Sequence, residues 1–306
     1  MSSPLTRNRG GSWYEAMARE RVSGLLDAGS FHEFIGPEQR QVSPHLAVFD
    51  VPEAFDDGLI VGRGKIRGQD VLLAAQEGRF MGGTFGEVHG AKLVGLLRFA
   101  RAHTPRTVLL LLDTGGVRLQ EANAGELAVS EIIRAILDAR AAGVKVLALV
   151  GGRAGAFGGG GIIAACCGRI VISEQGRTSV SGPEVIETNM GAEEFDSRDR
   201  PLVWRTTGGK TRRLLGGADA FAADCIDSFR ETTLGLLEQV PPFTLETMER
   251  EHARLTRRLE RFGHCRDAPE IWRAMGIPEP DSVADLAGDA FNQIAQTQTE
   301  SNHDAR

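Results

Sequence analysis

A chain of 306 residues, 42% of them hydrophobic, is long enough for one large α/β domain or two small ones, which rules out a disordered or fibrous protein. Lys and Arg total 35 against 41 Asp and Glu, a net charge of −6 that leaves no strongly basic face for nucleic acid. Cys166, Cys167, Cys225 and Cys265 form no Cys-x-x-Cys pair and no His stands at metal-finger spacing, so neither a zinc site nor a disulfide framework is expected.

The opening Met1-Ser2-Ser3-Pro4 lacks the short apolar core of a secretory signal, and the longest apolar runs, 108–112 and 144–150, fall far below the ~20 residues that span a bilayer. A soluble, cytoplasmic protein is expected. Residues 13–29 read as a charged amphipathic helix stopped by Gly29. From Gly58 to Gln76, short apolar runs separated by glycine turns predict antiparallel strands.

From residue 88 the pattern changes to helix-period segments alternating with fully apolar strands. A helix over 88–102 leads to a strand over 107–112. The loop from Asp113 to Arg118 precedes a helix near 124–141, closed by Gly143. A strand over 144–150, a Gly-rich stretch to Gly161, a short buried helix and a strand over 169–173 follow, as in one α/β core. Residues 189–217 read as a long polar loop, and helices near 219–240 and 244–262 close the fold. This gives an N-terminal helical segment (1–50), a core domain (51–275) and a disordered tail (276–306) rich in Asp, Gln, Thr and Asn.

Several familiar sites are absent. Gly209-Lys210-Thr211 resembles the end of a P-loop, but the motif's first glycine would fall on Trp204. Gly62-Arg63-Gly64 has no third glycine at dinucleotide spacing. No Ser stands in a Gly-x-Ser-x-Gly context, Cys166 and Cys167 read as small buried thiols, and His89 and His264 are isolated.

What remains are two glycine turns placed directly after strands, Asp113 to Arg118 and Gly158 to Gly161, where open α/β folds place their ligands. Glycine lets backbone N–H groups approach a ligand oxygen, a helix N-terminus adds partial positive charge, and two such loops could form an oxyanion hole. The same glycines also suit tight turns or close helix packing, so both readings stay open here.

Three separated segments carry a resemblance: Phe80 to Gly90 (FMGGTFGEVHG), Asp113 to Glu121 (DTGGVRLQE), and Gly151 to Gly161 leading to Ile172-Ser-Glu174 and Ser181 to Glu187 (SGPEVIE). Together, over roughly residues 50–240, the chain resembles the acyl-CoA carboxyltransferases of the crotonase superfamily. Trp204 to Lys210 (WRTTGGK), Gly155 to Gly159 (GAFGG) and Ala18 to Arg21 (ARER) make it most similar to β subunits of biotin-independent malonate decarboxylases. It lacks the N-terminal four-cysteine zinc module of acetyl-CoA carboxylase β subunits.

The resemblance implies an α/β, crotonase-like spiral of ββα units that pairs with a related γ subunit, the active site lying between them. The implied substrate is a malonyl thioester on an acyl carrier protein bearing a phosphoribosyl-dephospho-CoA group, decarboxylated to the acetyl thioester without biotin, metal or tightly bound cofactor. Oxyanion donors are implied at Gly115, Gly116 or Val117 and at Gly158 or Gly159, with Gly82 and Gly83 beside the substrate. Arg118 and Arg153 could hold the malonyl carboxylate or the carrier's phosphates, or form structural salt bridges. Lys210, with Arg212 and Arg213, could meet an acidic carrier or be an ordinary solvated charge run. A biotin-dependent carboxyltransferase and a non-catalytic scaffold for the γ subunit are the alternatives, and no residue is identified as proton donor.

Overall fold

The computed structural model describes residues 11–51 and 53–303. Residues 1–10, on which the leader reading rests, lie outside them. In chain order the elements begin with α1 (Ala18–Leu25), β1 (His32–Glu33), β2 (Leu59–Ile66), β3 (Gln69–Gln76), α2 (Glu87–Ala102), β4 (Thr107–Leu112), α3 (Asn123–Ala141) and β5 (Lys145–Val150). They continue with β6 (Ala156–Phe157), α4 (Gly159–Cys166), β7 (Arg169–Ser173), β8 (Thr178–Ser179) and α5 (Pro183–Met190). The chain closes with α6 (Arg200–Thr207), α7 (Gly209–Leu214), β9 (Ala220–Ala222), α8 (Ile226–Leu236), α9 (Leu245–Phe262), α10 (Ala268–Ala274) and α11 (Gly288–His303).

Seven strands form the main sheet in the order β1-β2-β3-β4-β5-β7-β9. β2 and β3 pair antiparallel around Arg67 and Gly68, whose φ of 47° and 75° suit the two-residue turn that matches strand twist. From β3 onward all neighbours are parallel. β4 and β5 are buried on both faces, which is why their sequences run apolar without alternation. After β5 and again after β7 the chain adds a strand to a second small sheet, β6 beside β8, before turning into a helix. Thr114 extends that second sheet through a bridge to Ala156. This is the expected spiral of ββα units.

The two faces of the sheet carry separate cores. α2, α3 and α4 cover one, with Leu97, Ile132 and Ile163 fully buried; α1 and α8 cover the other, where Trp13 stacks on Phe229 at 3.9 Å between centroids. The first helix is shorter than expected because residues 12–14 turn to meet Asp224, whose carboxylate accepts from Ser12 Oγ and Tyr14 N. Residues between Trp13 and Phe31 are built into this core, Val22 and Leu25 packing with Ile60 and Leu73.

Three expectations are corrected. The loop read over 189–217 contains α6, capped by the Asp199 carboxylate, and α7. Gly209 there is a tertiary requirement, since a Cβ on it would collide with Ser173 O. The helix read from 219 begins with β9. The tail read as disordered from 276 instead forms a 3-10 turn, Pro280–Asp285, and α11, with Ile277, Val283, Phe291 and Ala295 buried in the α2–α4 core. Phe291, Ile294 and Ala295 make a helical stripe that the polar composition around them conceals. Among the described residues, no helix is long and apolar enough to cross a membrane, and no three His, Cys, Asp or Glu gather as metal ligands.

Candidate active site

The site begins at Asp113, the first residue beyond β4, which is buried. Its Oδ2 pairs with Arg21 Nη1 at 2.7 Å, its Oδ1 accepts from Ala154 N at 2.7 Å, and its own N–H donates to Gln76 Oε1 at 3.0 Å. One residue, through its carboxylate and its backbone N–H, thereby ties the end of β4 to that of β3, to α1 and to the loop after β5. Gly78 and Gly152 leave the space it occupies, since a Cβ on either would strike the carboxyl group.

The two glycine loops leave from this anchor and bind each other. Thr114 N donates to Gly155 O (2.8 Å), and Phe157 N donates to Thr114 O (3.0 Å). Within the first loop, Gly115 N donates to Gly82 O (2.9 Å), Gly116 N to Thr114 Oγ1 (3.0 Å) and Arg118 N to Phe85 O (2.9 Å). Among the described residues the Val117 N–H has no protein acceptor. In the second loop Gly158 is the N-cap of α4, and the N–H groups of Gly158, Gly159 and Gly160 are likewise unpaired, as the first turn of any helix leaves them. The loops touch at Gly116 and Gly158, whose φ of 123° and 55° favour glycine. A Cβ on Gly158 would lie 3.5 Å from Gly116 Cα. Gly159 and Gly160 pack against Val129 and Thr114, letting α4 close onto its neighbours.

Of the expected donors, Gly115 and Gly116 are already engaged, and Val117, Gly158 and Gly159 present free N–H groups. Gly82 and Gly83 shape the first loop from behind through their carbonyls: Gly82 O accepts from Gly115, and Gly83 O accepts from Gln76 Nε2 at 3.1 Å.

Of the two roles left open for Arg118, the geometry matches the salt bridge. Its side chain is fully buried, with Nη1 on both Asp57 oxygens (3.1 and 3.0 Å) and on Glu121 Oε1 (2.8 Å), and Nη2 on Thr84 O. Burial pushes the Asp57 carboxyl up despite that guanidinium. Burial would raise Glu121 too, but the Glu87 N–H at the start of α2 and Arg118 outweigh it and hold it low. His89 N donates to Asp57, and its imidazole, pushed well below the usual range by burial and by the Arg118 and Lys92 cations, stays neutral beside Gln76.

Lys210, expected to be a carrier contact, is buried: Nζ pairs with Glu174 Oε1 (2.9 Å) and donates to the carbonyls of Ala284 (2.6 Å) and Leu286 (2.8 Å). Arg212 and Arg213 beside it are half-buried and held below the usual arginine range by burial, so no solvated basic run exists there. Lys210→Met is expected to loosen the segment 280–298, seen as faster amide hydrogen exchange there, with KM for a carrier-bound thioester unchanged. A raised KM with exchange unaltered would return Lys210 to substrate binding.

Arg153 pairs with Glu15 and lies over the Tyr14 ring at 5.3 Å, beside the second loop. Sequence reasoning passed over its neighbour Arg177, whose guanidinium lies over Phe157 (5.7 Å) and Trp204 (4.7 Å) and donates to Arg153 O. Arg200 lies over the same indole at 5.1 Å. Asp113, Arg21 and Gln76 were also missed as a unit; no spacing marks residues drawn from two strand ends and a helix. Around the loops, Leu119, Leu127, Ile162, Val180, Val185 and Met190 are large apolar side chains left exposed on the flanking elements.

Spiral and paired glycine loops together define a crotonase-like carboxyl transferase. The chain belongs to the carboxyl transferase domain family, whose profile matches residues 13–205. It is similar to the malonyl-S-ACP:biotin-protein carboxyltransferase MADC of Malonomonas rubra, 40% identical over 302 residues that cover 92% of this chain and 94% of the relative. A chain of the Pseudomonas malonate decarboxylase hetero-tetramer in complex with malonate superposes with a TM-score of 0.79 at 40% identity, covering 87% of this chain and 98% of that one. Transcarboxylase 12S superposes at 0.62 with 26% identity, covering 74% of this chain and 41% of that one.

Proposed function

We propose that this chain is the β-type subunit of a malonate decarboxylase that works with a related γ-type subunit on a malonyl thioester carried by an acyl carrier protein. The bond between the α-carbon and the carboxyl carbon breaks and carbon dioxide leaves. The electron pair passes into the thioester as an enolate whose charge gathers on its oxygen, and a proton from water returns to the α-carbon as the acetyl thioester forms. The backbone N–H groups of Val117, with those of Gly158 or Gly159 at the α4 N-terminus, meet that oxygen. The observation that carries this reading is the pair of touching loops with unpaired N–H groups.

The exposed apolar side chains flanking the loops suit burial against the γ subunit. A Pseudomonas malonate decarboxylase MdcD-MdcE hetero-dimer, one chain of which is 36% identical to this one with a TM-score of 0.64, supports such a pairing. The carrier's phosphoribosyl-dephospho-CoA arm is part of the substrate, and Arg153, Arg177 and Arg200 offer cations for its phosphates beside the second loop.

The name of the Malonomonas relative favours a second reading, in which the same loops serve transfer of the carboxyl group to a biotin protein. Carbon dioxide release from malonyl carrier by this chain with its γ partner separates the two. Release without biotin and unaffected by avidin is expected. Transfer only when a biotin protein is supplied, abolished by avidin, would make the chain a carboxyltransferase.

A further inference from the structure

Helix α9 is almost wholly exposed. Of its 18 residues only Phe262 is buried, and Leu245, Met248, Leu255 and Leu259 are 70%, 50%, 51% and 72% exposed. These four, with the exposed His252 and finally Phe262, fall at 245, 248, 252, 255, 259 and 262, steps of three and four that trace a 3.5-residue repeat along one side. The side turned toward the body is a different one, carrying the half-buried Thr247, Arg254 and Arg258. Such a seam is shaped for another helix, because each side chain fits between four residues of a facing helix.

Charge chooses which helix and in which direction. Residues 245–253 hold three Glu and one Arg, and residues 254–262 hold four Arg and one Glu. Two copies laid parallel would stack like on like, and two laid antiparallel set each acidic half against a basic half.

We infer that α9 pairs antiparallel with α9 of a second copy of this chain. In the register that matches the seam with itself, Met248 meets Leu259 of the second copy, His252 meets its Leu255, and Leu245 meets the edge of its Phe262. Alongside runs Glu251, already paired with Arg254 in its own helix at 2.6 Å, facing Arg258 of the second copy. Every contact occurs twice about a two-fold axis, so the interface closes on itself as a dimer. Its residues belong to neither glycine loop, and it does not depend on which acyl chemistry that site performs.

Sedimentation of the full-length chain over a wide concentration range tests this. The wild-type chain should be a dimer at high concentration, and Leu255→Glu/Leu259→Glu should be a monomer with unchanged circular dichroism. Direction is read by disulfide trapping. A Met248→Cys chain mixed with a Leu259→Cys chain should cross-link under mild oxidation beyond the wild-type background. Met248→Cys alone should not, since its two copies would stand about 16 Å apart along an antiparallel pair. A wild-type chain that stays monomeric, a dimer that survives both Glu substitutions, or self-linking by Met248→Cys would overturn the inference. So would a wild-type monomer whose γ-subunit binding is lost in Leu255→Glu/Leu259→Glu, because the seam would then belong to another chain.

Discussion

Gly158→Val should lose at least ~100-fold in kcat, the usual loss when an oxyanion donor is displaced, with KM nearly unchanged. Gly158 has a φ of 55°, where a β-branched residue is strained, and its Cβ would stand 3.5 Å from Gly116 Cα and 3.8 Å from Gly115 O. The γ-methyl groups would therefore enter the gap between the loops. Gly158→Ala, whose Cβ makes only ordinary contacts, should fall between valine and wild type. Turnover of the assembled complex, with circular dichroism to verify folding, is the measurement. Wild-type kcat in a folded Gly158→Val protein would remove the α4 N-terminus from the chemistry and leave the scaffold role.

Arg118→Met is expected to cost about 3–5 kcal/mol of stability, the range seen when one partner of a buried ion pair is removed, because Asp57 and Glu121 are left without a counterion. The sign of its pH dependence follows. Without the guanidinium both carboxyl groups should rise above their unfolded values, so the folded state would hold more protons than the unfolded one and lose stability as pH increases. Urea unfolding at neutral and mildly acidic pH should show the gap to wild type narrowing on acidification. A variant of normal stability with a raised KM for the malonyl thioester would instead place Arg118 at the substrate.

The strands over 107–112 and 169–173 were legible to the residue because buried parallel strands are continuous apolar runs, and α3 was legible through Ile132 and Ile136, which face one core, whereas Leu127 on the same helix is exposed. The two glycine loops were also legible, since glycine directly after a strand is a local signal. Which of their N–H groups remain free was not, because Gly82 and Thr114 decide it by accepting from Gly115 and Gly116. Charge stayed ambiguous wherever its partner is distant: Arg118 could be a substrate contact or a salt bridge until Asp57, 61 positions away, is folded beside it. Lys210 likewise becomes a clamp only when the carbonyls of Ala284 and Leu286 return to it. Helix α11 was hidden because three apolar positions sufficed to dock it, too few to shift the average of a polar segment.

Trp13 stacks on Phe229 on one face of the sheet, and Phe291 lies 4.7 Å from Phe221 on the other. Each core layer is thus sealed by an aromatic pair whose members are far apart in sequence. A nascent chain leaving the ribosome holds Trp13 without a mate until residue 229 has emerged, and the opposite layer waits longer still, for Phe291. Such long-separated closures slow folding and prolong the time for which apolar sheet faces stand open. Synthesis of this protein should therefore depend on holding chaperones until Phe291 has emerged, and fragments lacking Trp13 or Phe291 should aggregate.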